Sequence, residues 1–203
     1  MGHRLASPLR RCDNFRVGYF ETEKGVDEYL GMTHGPDRGL VARLTPLLVA
    51  GASVLEIGIG PGYDLLLLAE RYRVVGTDRS PIFVRRFGEQ HPDIDVRVAD
   101  AASLDIAERF DAVYSNKVLQ HLSDEELRAS LAVQHRVLVP GGVGLHGLWY
   151  GTECEHYAGL RFQQYIEESF AVQLGGLFSV ESTVAYGEEK DGDSIAVILR
   201  KEA

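Results

Sequence analysis

The chain is poor in cysteine. Its 203 residues hold two, Cys12 and Cys154, far apart, with no CxxC pair and no repeated Cys/His spacing. That argues against a disulfide framework and a zinc site, so no metal is expected, and a reducing cytoplasm is the expected setting. Positive charge is also in deficit: 21 Lys and Arg stand against 30 Asp and Glu, a formal charge of −9. A general nucleic-acid binder would show a basic field, so no nucleic-acid partner is expected. No apolar run approaches the roughly 20 residues that cross a bilayer. The opening MGHRLASPLRR lacks the apolar core of a secretory signal, and no membrane partner is expected. Repeats and low-complexity stretches are missing too.

What is present is ordinary for a globular domain: 45% hydrophobic and 25% charged residues. The length suits one domain. Residues 1–18 read as a leader whose order the sequence leaves open. Residues 19–203 read as the domain, with a helical cap at 19–50 and a core at 51–203.

Along the core, β-rich runs alternate with amphipathic helical ones. Strands are expected at 53–58, 73–78, 95–100, 110–116 and 143–149. Helices are expected at 61–71, 80–90, 123–139 and 163–174. Leu65, Leu68 and Ala69 share one helical face. Ser80-Pro81 and Ser123-Asp124-Glu125-Glu126 are helix starts, the second a capping box. Strands separated by helices of this length form parallel βαβ units. Two final strands, 178–186 and 194–200, are joined by a turn containing Asp191-Gly192 and must run antiparallel to each other. The expectation is a Rossmann-like α/β sheet, mostly parallel with one reversed strand near an edge, and helices on its faces. Residues 26–34 and 36–49 read as two cap helices, broken at Gly35.

The stretch EIGIGPGYD, 56–64, puts glycines at 58, 60 and 62 between the first strand and its helix. Ligands of open parallel sheets sit beyond the strand ends at this point. Glycines there let backbone approach a bound group. A dinucleotide fingerprint would need glycine at 63, which is Tyr63, and no GxxxxGK[ST] phosphate loop occurs. Asp64 in the first helical turn disfavours an anion. Asp78, twenty residues after Gly58, can accept both hydroxyls of a ribose. Asp100, at the end of the third strand, can accept from an adenine amino group. The implied ligand combines an adenosine with a cationic amino acid, a description that S-adenosylmethionine fits.

LEIGIGPG at 55–62 resembles the first motif of class I S-adenosylmethionine-dependent methyltransferases. GTDRS at 76–80, Asp100-Ala101, FDAVYSN at 110–116 and LVPGG at 138–142 resemble the motifs that follow, in order, over about residues 50–200. The resemblance implies a seven-stranded sheet with an antiparallel last strand. It places Glu56, Gly58, Gly60 and Gly62 beside the methionine part of the cofactor, Asp78 with its neighbour Arg79 at the ribose, Asp100 and Ala101 at the adenine, and Asn116 near the methyl group. Position 116 is followed by Lys117-Val118 rather than the NPPY-like motif of enzymes that methylate planar nitrogens, and 115–122 looks more like members acting on small molecules.

Methyl transfer needs alignment more than acid–base machinery, but a protic acceptor also needs a base. His121 is the candidate, against a reading as a helix-entry histidine bonded to backbone. His146, in the fifth strand, reads as a buried structural residue, and Lys117 as a spacer or a contact for an acidic substrate. Tyr29, Tyr150 and Arg161 are the candidate substrate contacts, with Trp149, Tyr157, Phe162 and Tyr165 nearby and His34 in the cap. The expected function is methyl transfer to a small molecule by a cytoplasmic monomer or homodimer. The rivals are a non-catalytic S-adenosylmethionine or S-adenosylhomocysteine binder, a nicotinamide oxidoreductase, and a protein or nucleic-acid methyltransferase.

Overall fold

In the computed structural model, residues 18–33, 35–188 and 190–202 are described. The expected leader, Cys12 and His34 lie outside the described residues.

One sheet of seven strands has the order β3 (Asp95–Val98), β2 (Arg73–Asp78), β1 (Ser53–Ile57), β4 (Phe110–Asn116), β5 (Leu138–Trp149), β9 (Ser194–Arg200), β8 (Ser179–Tyr186). Neighbours from β3 to β5 pair in parallel. Strand β9 is antiparallel to both β5 and β8, so the reversed strand lies one in from the edge. The chain steps outward from β1 to β3 and then returns to the other side of β1. The crevice between the ends of β1 and β4 is therefore the switch point of the sheet.

Strand alternation sorts the core onto two faces. Leu55, Ile57 and Val113 pack with Leu127 and Leu131 of α5 (Asp124–Val137) and Phe170 and Leu174 of α6 (Glu167–Leu174). Val54, Ala112 and Tyr114 face the other way, against Leu40 and Val41 of α2 (Arg38–Ala42), Leu44, and Leu68 of α3 (Tyr63–Ala69). Helices thus cover both faces. Helix α1 (Glu23–Leu30) lies instead against α4 (Pro81–Gln90), through Val26, Ile82 and Phe83. Four ion pairs lace the same contact: Glu21 to Arg79, Glu23 to Arg85 and Arg86, and Asp27 to Arg86. The acids sit before or on α1 and the bases before or on α4.

The caps follow the sequence. Ser80 accepts from Phe83 N with Pro81 at the first helical position. Ser123 and Glu126 bond reciprocally at the start of α5. Other boundaries differ. The helix expected at 36–49 is the five-residue α2 followed by turns, and the one at 26–34 starts earlier and ends at Leu30. The strand expected from 143 begins at Leu138, and residues 139–142 loop out within it, where the register jumps from Phe110↔Leu138 to Ala112↔Val143. The helix expected at 163–174 begins only at Glu167. Before it lies a two-stranded hairpin, β6 (Cys154–Tyr157) with β7 (Leu160–Gln163), turning on Ala158 and Gly159, both at positive φ. Alternation is hard to read in four-residue strands without a buried face.

Replacing Ser123 with Ala removes one half of the capping box and should destabilise the fold by about 1 kcal/mol in urea unfolding. A loss indistinguishable from zero would mean the cap contributes nothing.

Candidate active site

A cleft of about 770 Å³ opens at the switch point. The three glycines of its loop do different work. Gly58, Gly60 and Gly62 all have positive φ, 75°, 49° and 81°. A Cβ at Gly58 would lie 2.4 Å from the Val118 side chain, and one at Gly62 would lie 2.1 Å from the Phe87 ring. At Gly60 the nearest atom is Cε1 of Tyr29 at 3.9 Å. Gly58 and Gly60 line the cleft, whereas Gly62 does not. Gly62 was expected beside a ligand. Its absent side chain instead makes room for Phe87 of α4, and its left-handed backbone opens α3. The N–H groups of Gly58 and Ile59 donate to the Thr77 carbonyl at 2.7 and 3.0 Å, tying the loop to β2.

Carboxylates dominate the cleft wall. Glu56, next to last in β1, is 2% exposed, and its Oε2 has no hydrogen-bond partner among the described residues. Burial pushes its pKa well above the usual carboxylate range, and the charges of Asp64 and Asp78 push the same way. Asp78, at the end of β2, accepts from Gly60 N and Ser80 N, one bond to each oxygen, both at 2.8 Å. Burial raises its pKa despite those two bonds. A carboxylate offers about four acceptor positions, so capacity remains on the cleft side. Asp64 takes Asp37 N at 2.7 Å, the Tyr114 hydroxyl at 2.7 Å and Asn116 Nδ2 at 3.1 Å. It is a half-buried hub between the cap, α3 and β4. Asp100 accepts from Ala102 N at 2.8 Å and, with Ala101, lines the cleft beyond β3.

At the other end, Asn116, Lys117, Val118 and His121 follow β4 into the cleft wall. Lys117 has φ +56° and its ammonium contacts Glu188 at 2.8 Å, Ser194 Oγ at 2.8 Å and the Leu148 carbonyl at 3.3 Å, 4.1 Å over the Trp149 ring. Neither expectation for Lys117, a spacer or a contact for an acidic substrate, included this network, because Glu188 and Ser194 arrive from the distant β8–β9 connection. Nδ1 of His121 lies 2.6 Å from the Arg161 carbonyl, and burial lowers the imidazole's pKa. Tyr29 joins the wall from α1, packed edge-on against Phe20. Arg79 sits at the rim, paired with Glu21. His146 is fully buried, 2.9 Å from Ser115 Oγ, with its pKa lowered by burial to about 3, and is structural.

Two expected substrate contacts are elsewhere. Tyr150 lies outside the cleft lining, 43% exposed, bridged to Tyr165. Arg161 turns its guanidinium onto the protein: it donates to the Leu122 carbonyl and, at 3.0 Å each, to Asp124 and Gln163. The hairpin supplies Tyr157, Ala158, Leu160 and Phe162 to the cleft in their place.

Residues 54–142 match the family model of a methyltransferase domain. That stretch is less than half of the chain, and the chain has the fold of class I methyltransferases. It is 35% identical over 109 residues to a trans-aconitate 2-methyltransferase of Azoarcus, an alignment covering 52% of this chain and 42% of that one. It is 37% identical over 98 residues to a probable S-adenosylmethionine-dependent methyltransferase of Mycolicibacterium smegmatis, covering 47% and 37%. These matches span less than half the length of either relative. Among solved structures, the Burkholderia thailandensis 1,6-didemethyltoxoflavin N1-methyltransferase, with its substrate and S-adenosylhomocysteine bound, superposes with a TM-score of 0.71. That match covers 82% of this chain and 78% of the other at 22% identity, a likeness of fold.

The cleft fits an S-adenosyl cofactor such as that neighbour holds. Glu56 is a buried acceptor lacking a donor, which an ammonium would supply. Asp78 has spare acceptor positions where two vicinal hydroxyls could bond. Gly60 is open where a side chain would project into the cleft.

The glycines make separable predictions. Gly62→Ala should destabilise the fold by about 2–4 kcal/mol, since it combines strained φ with a clash. Gly60→Ala should cost only about 1–2 kcal/mol. Urea unfolding of both variants checks the order; equal losses would refute it. Glu56 has a pKa raised by folding, so the stability it contributes below the usual carboxylate pKa is lost as pH rises through its folded value. Glu56→Gln should therefore be about 1 kcal/mol or more stabler than the parent near pH 8, and the gap should close toward pH 4. Thermal melts across that range would contradict this if the parent were the more stable at the upper end.

Proposed function

We propose that the chain transfers a methyl group from S-adenosylmethionine to a small-molecule acceptor. The observation that carries the reading is the pairing of a partnerless buried Glu56 with a doubly bonded Asp78 in one acid-lined crevice. Such a wall favours a cationic, phosphate-free nucleoside. The relative named for trans-aconitate and the structural neighbour holding 1,6-didemethyltoxoflavin support a small acceptor. The acidic balance and the chain's own composition support a cytoplasmic protein without a nucleic-acid partner.

When bound, S-adenosylmethionine supplies a methyl group already activated on a sulfonium. Glu56 binds the ammonium as a carboxylate, which restores to it the charge that burial suppresses. Asp78 accepts the ribose hydroxyls while Gly60 N and Ser80 N hold its plane. Asp100 and Ala101 bound the adenine side. Phe20, Tyr29 and Met32 wall the cleft from the amino-terminal side and exclude water. Asn116, fixed through Asp64, stands where β4 meets the reacting end. His121 is neutral near pH 7 because its pKa is lowered, and its Nε2 takes the proton of a protic acceptor.

Calorimetric titration tests the reading. S-Adenosylmethionine and S-adenosylhomocysteine should bind and NAD should not; binding of NAD alone would overturn it. Asp78→Ala should weaken S-adenosylmethionine at least about tenfold, through lost charge-assisted hydrogen bonds. His121→Ala should leave that affinity unchanged.

A further inference from the structure

His121 is held by a piece of chain 40 residues away. The β6–β7 hairpin brings the Arg161 carbonyl to 2.6 Å from its Nδ1. A carbonyl only accepts, so the hydrogen of that bond belongs to Nδ1. A neutral imidazole has one N–H. Fixing it on Nδ1 leaves Nε2 with a lone pair. Phe162, the next hairpin residue, meets the imidazole edge to face at 4.6 Å and 87° and sets the ring plane. The Lys117 carbonyl also favours a proton on the ring, while Arg79 disfavours the imidazolium.

The carbonyl is itself anchored. The Arg161 guanidinium donates to the Leu122 carbonyl and to Asp124 Oδ1, which immediately follow the turn holding His121. It also donates to Gln163 of its own strand. Arg161 therefore grips the His121 segment twice, with its carbonyl on the ring and its guanidinium on the chain just beyond. The guanidinium is consumed in this and is not offered to an acceptor.

We infer that Arg161 is a positioning residue for the transfer reaction: it fixes His121, which lines the cleft, as the Nδ1–H tautomer and so puts the lone pair on Nε2. The inference draws its use from the methyl-transfer reading. Its step moves one proton, from the acceptor's O–H or N–H to Nε2, as the acceptor's electron pair forms its bond to the methyl carbon and the C–S bond breaks. In the imidazolium that results, Nδ1–H keeps its bond to the Arg161 carbonyl.

The test needs no acceptor. Long-range ¹H–¹⁵N correlation spectra of ¹⁵N-labelled protein distinguish the two neutral tautomers of each histidine, with His121→Gln assigning the signal. The parent should show Nδ1–H at neutral pH. Arg161→Ala should shift the signal toward the Nε2–H form that predominates in free imidazole, and Arg161→Lys should restore part of the Nδ1–H signature. An Nε2–H tautomer in the parent would overturn the inference, as would an unchanged signal in Arg161→Ala. If Arg161→Ala fails to fold, Asp124→Asn, which weakens one anchor, should broaden or shift the same signal; a parent-like signal there would count against it. Failure of S-adenosylmethionine to bind the parent would sink the proposed function and leave the tautomer result standing.

Discussion

A carboxylate buried at the end of a central parallel strand is the constraint around which the site is arranged. Glu56 lies between β2 and β4, where the backbone is fully paired and water is excluded. Removing its charge from solvent without a donor destabilises the fold. A protein that retains such a group has a destabilised ground state that a bound cation can relieve. The acids that share the crevice, Asp64 and Asp78, sharpen this, because each disfavours ionisation of Glu56.

The surrounding packing holds that carboxylate in place. Val118 fills the space of a missing Gly58 side chain and Phe87 that of Gly62, so the loop is pinned by α4 on one side and by the turn after β4 on the other. Asp78 grips the same loop through Gly60 N and the start of α4 through Ser80 N. The first strand's loop, the second strand's end and the fourth strand's exit thus form one rigid wall. The opposite wall is made of shorter pieces: the amino-terminal helix, held by exposed ion pairs worth little individually, and a hairpin outside the main sheet. On the proposed function, cofactor recognition falls to the rigid wall and acceptor recognition to the shorter pieces.

That division explains what the sequence could tell. Strands β1 to β5 and their helices were legible because each carries a local signal: an apolar run, a capping serine, a glycine after a strand. Glu56, Asp78 and Asp100 were legible because strand ends converge on the crevice by topology alone. Roles set by distant chain were not. Gly62 faces Phe87, which no local spacing reports. Lys117 meets Glu188 and Ser194 across some seventy residues. Arg161 looked like an acceptor contact because it lies among aromatics, yet the hairpin turns its side chain onto Leu122 and Asp124.

The most direct measurement is the proton balance of S-adenosylmethionine binding, read by calorimetry in buffers of different ionisation enthalpy at slightly acidic pH. Glu56 holds its proton more tightly than an ordinary carboxylate in the free protein and must give it up to bind an ammonium. Binding should therefore release a fraction of a proton, growing as pH falls toward the raised pKa, and Glu56→Gln should release less. A balance that is the same in both proteins would contradict the account, because the buried carboxylate would then not be what receives the cation.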